Sequence, residues 1–506
     1  MLIPSASALP RLANGFSLLS FNVLLPNSQD GWWLYKYYDG VSQDYATTLW
    51  PARSKLLAER LLSADADIVL LQECSADSFE TDWSFLSDAG YDYALHTKGR
   101  MRPATFWKRE RMALCDAAGK PLDGEPSAAV TTGDRTLIAN FLLRDSTGAP
   151  LVDKPPISVV NAHLSAGQES RRRLQQIHGA LDSIRKARAK VDAKGEVSCI
   201  VAGDFNSQGR TAVREILEVG EVLPEYRESG DPTEVEQGQN EVTSKPKRQV
   251  IGTFADAMEV AHAAAASNGN TPSGGGGVEG GAQEVFMRYY DSWRAIRGEA
   301  AEAAAGVEED QAAAAVSPAG TVPPTLIAPE LMSHMVDASG QATPALIAAV
   351  DECFDLLSAD KRCFTEAEQE VWLSKINDPA GEFPGGVQRG SEYRKALSLR
   401  EGHENTPLTR ADFQELYAEE VMQGKFWGVE HDLRVLRGKG MRQPGAPPFT
   451  ARFDNLFYTS GTLKLHAAQE ALPPAQLEEL LSGKAILPNA WHASDHLPVA
   501  AAFEWA

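Results

Sequence analysis

Long apolar runs are missing from this 506-residue chain, and so is any excess of positive charge. No stretch approaches the ~18 consecutive apolar residues that a membrane-spanning helix needs, which excludes a helical membrane protein. The 48 Lys and Arg face 69 Asp and Glu, a formal charge of −21. Such a surface repels polyanions, so non-specific tracking along duplex nucleic acid is excluded as the main property, and any phosphate must be met by local features. Cysteine is scarce and odd in number (Cys74, Cys115, Cys199, Cys353, Cys363), with no CxxC pair. That excludes a disulfide framework and a cysteine metal site, and it points to a reducing compartment, cytoplasmic or nuclear.

The chain does have apolar residues in quantity, 43%, and its length implies two or three units or one domain with large insertions. Composition divides it. Residues 1–15 read as an amino-terminal tail. Residues 16–260 and 439–506 are rich in strand patterns. Residues 261–322 are Ala-, Gly-, Ser- and Glu-rich, too poor in large apolar residues to order themselves, and read as a disordered linker. Residues 323–438 carry helical spacing over Pro344–Asn377 and Thr409–Val435, an inserted helical unit that could hold a protein partner. Asp204 and Asp454 lie too far apart for an ordinary connection, which is why an insertion is required.

Within the strand-rich parts, short apolar runs deliver polar residues. Val197–Ala202 leads into Gly203-Asp204-Phe205-Asn206, Phe16–Phe21 into Asn22, Asp67–Gln72 into Glu73, and Ile157–Ala162 into His163; Asp454 lies within Phe449–Thr459, and Asp495-His496 precedes a terminal strand through Phe503. Each has a bland reading. Asp and Asn after a strand favour an Asx-turn, one Glu at a strand end is usually solvated, and a lone His is more often a hydrogen-bonded structural group. Jointly they favour one shared cleft: carboxylates for a hard divalent ion, amides and imidazole for phosphoryl oxygens, Asp or His to take a proton from water. Two further features read more simply. Trp32–Tyr38 is expected to be a loop packing on the rim, with base stacking as the alternative; the basic helix Gln168–Val191 is expected to be a solvated face, with Arg171 or Arg172 approaching phosphate as the alternative.

The order Ser-Phe-Asn-Val-Leu, Leu-Gln-Glu, Asn-Ala-His-Leu, Gly-Asp-Phe-Asn-Ser, Phe-Asp-Asn-Leu-Phe-Tyr, Ser-Asp-His-Leu-Pro-Val resembles the endonuclease/exonuclease/phosphatase superfamily, the fold of deoxyribonuclease I. It looks closest to the carbon-catabolite-repressor-type branch with its nocturnin-like and angel-like members, and to a plant and algal subgroup with an EF-hand-like insertion. The resemblance implies a four-layered α/β sandwich, two packed mixed sheets flanked by helices, with a helical subdomain inserted. It implies Glu73 as chief Mg²⁺ ligand (Mn²⁺ as substitute), supported by Asn22 and Asp495. Asp204 would handle the attacking water, Asn206 a phosphoryl oxygen, and His163 the scissile phosphate. Asp454 would fix the tautomer of His496; Arg135, where the branch often has an Asn, is a candidate substrate contact of this chain's own. The calcium-hand outline at Phe354–Glu368 puts Leu357, Ala359 and Lys361 at ligand positions, so Ca²⁺ is not expected there. Asp134-Arg135, Gly445–Phe449 and Asp454-Asn455 depart from the deadenylase pattern and weigh against a poly(A) preference. The expected activity is Mg²⁺-dependent hydrolysis of phosphate esters in RNA or a nucleotide-derived substrate, deadenylase-like or exonucleolytic. The alternatives are a phospholipid, inositol- or sugar-phosphate esterase, and a calcium-regulated binding protein acting through the helical insertion.

Overall fold

Successive side chains of a strand point to opposite faces, so alternation sorts a strand's residues into two sets before any packing is considered. Both sets are apolar in most of the strands here, which requires cover on both faces. The computed structural model describes residues 2–5, 7–25, 50–122, 130–166, 169–191, 196–207, 211–228, 240–267, 334–337, 341–377, 408–422, 426–441, 452–481 and 487–506. Its main strands are β1 (Leu2–Ile3), β2 (Gly15–Asn22), β3 (Ile68–Ser75), β4 (Tyr91–Leu95), β5 (Met101–Lys108), β6 (Met112–Leu114), β7 (Thr131–Thr132), β8 (Thr136–Leu143), β9 (Ile157–His163), β10 (Ser198–Asp204), β11 (Phe254–Asp256), β12 (Asp454–Thr459), β13 (Leu463–Gln469) and β14 (Val499–Trp505). They form two seven-stranded sheets, one in the order β1-β13-β14-β2-β3-β5-β4, the other β11-β12-β10-β9-β8-β6 with β7 paired to β8.

The two residue sets now have addresses. Leu18, Ile68, Leu70 and Trp107 of the first sheet meet Leu137, Val159, Ile200, Ala202 and Leu456 of the second in a core between the sheets. The alternate residues Leu19, Phe21, Val69 and Leu71 face outward onto Leu57 and Leu61 of α1 (Trp50–Ala64) and onto Trp83 and Leu86, around the short helices α2 (Phe79–Asp82) and α3 (Ser84–Asp88). On the other side Val160, Cys199 and Val201 face Leu174, Ile177 and Leu181 of α4 (Ser170–Lys190) and Ile216 of α5 (Ala212–Glu218). Helix, sheet, sheet, helix is the four-layered sandwich expected from the sequence. Parallel pairing of β2 with β3 and of β9 with β10, and antiparallel pairing of β10 with β12, bring their functional ends to one edge.

Three boundaries differ from the sequence reading. The amino-terminal stretch is docked: Leu2 pairs with Ala468 in a parallel β1–β13 ladder, and the Leu9 N–H donates to Ala64 O at 2.9 Å. Strand β13 was not expected; small and charged residues dilute its pattern, and a register shift between Leu465 and Ala467 breaks the alternation. Helix α6 (Ala257–Ser267) runs past the boundary at 260, with Ala261 buried in the inter-sheet core; alanine is the best helix former, and its small side chain lets the helix lie close to the sheets. The rest of the linker stretch and the Trp32–Tyr38 cluster lie outside the described residues.

The insertion has a core of its own. Helices α7 (Pro344–Leu357), α8 (Glu366–Asn377), α9 (Arg410–Met422) and α10 (Phe426–Arg437) enclose Leu346, Phe354, Phe364, Trp372, Phe413 and Tyr417. Cys363–Phe364 and Leu408–Thr409 pair as a two-stranded ribbon. A further helix, α11 (Pro474–Leu481), follows β13.

Candidate active site

Gly203 opens the way for Asp204. Its φ is +135°, and a Cβ there would lie 1.9 Å from Ala162 O of the neighbouring strand, so only glycine lets β10 approach β9 this closely before delivering the carboxylate. Asp204 then closes an Asx-turn: its Oδ1 accepts the Asn206 N–H at 2.7 Å. Its Oδ2 remains turned into the cleft, where it accepts from Asn22 Nδ2 at 2.9 Å and Asn206 Nδ2 at 3.1 Å. Turn and site are thus one structure. Glu73 is aimed by a different device: β3 slips register against β5 between Leu71 and Cys74, and Glu73 itself takes φ +65°, a bulge-like irregularity that redirects a side chain. Its Oε2 accepts the Leu25 N–H at 2.9 Å, and its Oε1 lies 3.3 Å from the same Asn22 amide. Asn22 therefore bridges a carboxylate from each sheet.

Two imidazoles complete the group. His163 Nε2 stands 3.8 Å from both Glu73 Oε1 and Asp204 Oδ2. Burial pushes its pKa down to about 4, with Arg135 and His496 acting in the same direction against Asp204; at neutral pH it is uncharged. His496 gives Nδ1 to Asp454 Oδ2 at 2.7 Å and holds Nε2 at 3.9 Å from Asp204 Oδ2. Burial alone would lower this second imidazole, but Asp454 and Asp204 outweigh it and raise the pKa well above the usual range. One histidine is neutral and the other cationic because their neighbours differ. Burial also raises Asp204.

The other sequence-selected residues fall around this cluster. Asp495 is half-buried and acts electrostatically on His496. Arg135 is exposed at the rim with φ +58°; its carbonyl accepts the His163 N–H at 3.0 Å. Both amide hydrogens of Asn206 are engaged, one by Leu164 O at 3.0 Å and one by Asp204. Arg171 and Arg172 are exposed and paired with Glu241 and Asp134, as expected of a solvated helix face, but Arg173 and Arg188 of the same basic helix are buried, and Arg173 donates to Ser165 O at 3.0 Å.

Several buried partners escaped sequence reading. Gln72 Nε2 donates across the sheets to Asn161 Oδ1 at 2.9 Å, and Asn161 Nδ2 donates to Ala104 O at 2.9 Å and Leu71 O at 3.1 Å. This polar layer lies directly beneath the cleft, and alternation signalled it: each amide shares the inward face with Leu70 or Val159 two residues earlier. Ser494 Oγ donates to Asn22 O at 2.7 Å, tying the Asp495-His496 segment to β2.

The donor set suits a hard divalent cation. Glu73, Asn22 and Asp495 carry the oxygen donors that such an ion takes, and two carboxylates sharing one amide leave negative charge to be neutralised. Among the described residues no three His, Cys, Asp or Glu side chains converge as a metal-holding group.

Two facing mixed sheets thus gather acids, amides and imidazoles at one edge of a four-layered α/β sandwich. Residues 19–218 match the model of the Endonuclease/Exonuclease/phosphatase family. Carbon catabolite repressor protein 4 homolog 2 of Arabidopsis thaliana is 26% identical over 242 residues, 42% of this chain and 38% of that protein. Homolog 1 of the same plant is 25% identical over 242 residues, 41% of this chain and 38% of that protein. The chain thus spans less than two-fifths of the length of these relatives. Among solved structures, ANGEL2, a 2',3'-cyclic phosphatase, aligns with TM-score 0.45 and 14% identity over 97% of this chain and 95% of that one. The human Nocturnin catalytic domain aligns with TM-score 0.36 and 12% identity over 100% of both chains. Among the described residues no helix is long and apolar enough to cross a membrane.

Proposed function

We propose that the chain is a Mg²⁺-dependent phosphodiesterase acting on RNA or a nucleotide-derived ester. The observation that supports this reading is the bridging of Glu73 and Asp204 by the one amide of Asn22, with His163 facing both carboxylates and His496 facing Asp204. Glu73, Asn22 and Asp495 would hold the ion, which when bound polarises phosphoryl oxygens and offsets the charge that builds up in the transition state. Asp204 orients the attacking water and takes its proton; burial raises its basicity, and the two Asn206 contacts fix its direction. His496, kept cationic by Asp454, presents Nε2–H to the phosphoryl group and stabilises the charge developing there. Neutral His163 contacts the scissile phosphate without adding a second cation, and exposed Arg135 meets a phosphate beyond it.

The test is hydrolysis of a panel with Mg²⁺ or Mn²⁺: poly(A), short oligonucleotides, nucleotide phosphate esters, sphingomyelin and inositol phosphates. Metal-dependent cleavage of the nucleotide members, lost in Glu73→Ala, is the expected result. Cleavage confined to the lipid or inositol esters would replace the substrate assignment, and metal-independent activity would remove the mechanism.

A further inference from the structure

Arg53 sits in the first turn of α1 and is fully buried. Its Nε donates to Ala493 O at 2.6 Å, its Nη2 to Val23 O at 2.6 Å and to Leu24 O, and its Nη1 lies 3.5 Å from Leu25 O, with the guanidinium carbon 5.4 Å from the Trp50 ring centroid. A guanidinium carries five N–H donors in a fixed planar fork. Here the fork is aimed at the carbonyls of two chain segments far apart in sequence.

Both segments end in the cleft. The first follows Asn22 and turns at Leu24, which takes φ +53°, a conformation that residues other than glycine seldom adopt unless their surroundings impose it. That turn directs the Leu24 N–H to Asn22 Oδ1 at 3.0 Å and the Leu25 N–H to Glu73 Oε2 at 2.9 Å. The second passes from Ala493 to Ser494, whose hydroxyl reaches Asn22 O and accepts the His496 N–H at 3.2 Å, and then to Asp495 and His496. Packing a helix on a sheet needs only aliphatic side chains, and burying a guanidinium is costly. The carbonyls it gathers adjoin Asn22, Glu73 and His496.

We propose that Arg53 is a positioning residue for the hydrolytic cleft: it latches residues 23–25 to residue 493 and thereby sets the spacing of Asn22, Glu73 and His496. The proposal rests on the phosphodiesterase reading for its kinetic consequence but not for its structural one. Lysine at this position keeps the charge but offers a compact ammonium that cannot span four carbonyls. A shift of about 1 Å in such a constellation costs on the order of 100-fold in rate.

The experiment compares the full-length wild type with Arg53→Lys and with the milder Ser494→Ala, each shown folded by circular dichroism, on the best substrate of the panel. For Arg53→Lys, kcat is expected to fall about 100-fold with KM held within about threefold, the split that marks lost transition-state alignment. Ser494→Ala should fall about tenfold with the same split. Amide hydrogen exchange in peptides covering 22–25 and 493–497 should lose protection in Arg53→Lys while the rest of the sandwich keeps it. Unchanged kcat in both folded variants overturns the positioning role, even if exchange rises, because the latch is then structural only. Unchanged exchange in both segments overturns the latch itself. If Arg53→Lys does not fold, Ser494→Ala decides by the same two readings. A wild type that hydrolyses nothing in the panel overturns the hydrolase reading instead, and the latch then stands or falls on exchange alone.

Discussion

The sandwich mouth and the helical insertion use the same residue types to opposite ends. At the mouth, Glu73 and Asp204 come from different sheets, share one neutral amide and both face His163, while Asp204 also faces His496. In the insertion, the acidic side chains Glu368, Asp360 and Asp412 are consumed by their own loops and caps. Glu368 accepts the Thr365 and Ala359 N–H groups at 2.8 and 2.6 Å, Asp360 accepts the Arg362 N–H at 2.9 Å, and Asp412 accepts the Thr409 N–H at 2.9 Å. Ser358 Oγ accepts the Lys361 N–H at 3.2 Å inside the same loop, and Arg410 pairs with Asp351 and Asp355. The contrast teaches that acidic residues in loops are chemically informative when strands of two sheets force them together, so that the turn's own N–H takes one oxygen of Asp204 and the other still faces Asn22 of the opposite sheet. Thr365–Glu368 and Thr409–Asp412 are reciprocal helix caps, so the calcium-hand outline read from the sequence is filled here by hydrogen bonds of the chain itself.

The largest effect should come from breaking the mouth. Glu73→Ala or Asp204→Ala is expected to lower kcat/KM by about 1,000-fold or more, roughly 4 kcal/mol of transition-state stabilisation, measured in the Mg²⁺ assay with folding monitored in parallel. Equal activity in either variant would show that the convergence of the two sheets is architectural. Asp454→Asn is smaller: it leaves a partner for His496 Nδ1 but removes the negative charge that holds the imidazole cationic, and a loss of about 10- to 100-fold follows. The activity profile of that variant should shift toward lower pH, since His496 then loses its proton earlier.

Stability against pH sharpens the comparison from the side of folding. His163 and His492 are both pushed down to about 4 by burial, so between that value and the ordinary histidine pKa of about 6.5 the unfolded chain binds protons that the folded chain refuses. Stability therefore rises with pH across this window and is lost on acidification, by at most about 3 kcal/mol for each histidine. His496 acts the other way above the window, since its raised pKa contributes stability that is lost as pH rises through it. His492 Nε2 lies 2.7 Å from His496 O, and His492→Asn keeps a donor there without the titration; urea unfolding between about pH 4 and 7 should show roughly half the slope of the wild type.

How much of this was legible depended on the range over which each residue acts. Glu73, Asp204 and His163 were legible because each follows a run of strand residues buried on both faces, and local pattern alone places them at an edge. Asn206 was half legible: turn and site looked like rival readings, and the structure makes them one, since Asp204 divides its two oxygens between the Asn206 N–H and Asn22. Arg53 was not legible at all. An arginine in an amphipathic helix reads as solvated, and its four carbonyl partners lie at positions 23–25 and 493, which no periodicity links. Strand β13 failed for a local reason, a register shift that breaks the alternation by which strands are recognised.

The smallest effect tests the insertion. If its loops are closed by their own hydrogen bonds, Ca²⁺ has no role in folding it, and Thr365→Ala should remove the reciprocal cap at the start of α8 at a cost of about 1 kcal/mol while kcat stays within about twofold of wild type. Calorimetry on the full chain should show no Ca²⁺-dependent rise in melting temperature, because Leu357, Ala359 and Lys361 supply no side-chain oxygen to a hard cation and Glu368 already serves the Thr365 and Ala359 amides, which hold its carboxyl below the usual range. A clear Ca²⁺-linked stabilisation would mean that Glu368 exchanges amides for metal, and would bring the insertion closer to the mouth in kind: a place where acidic groups are held ready for an ion.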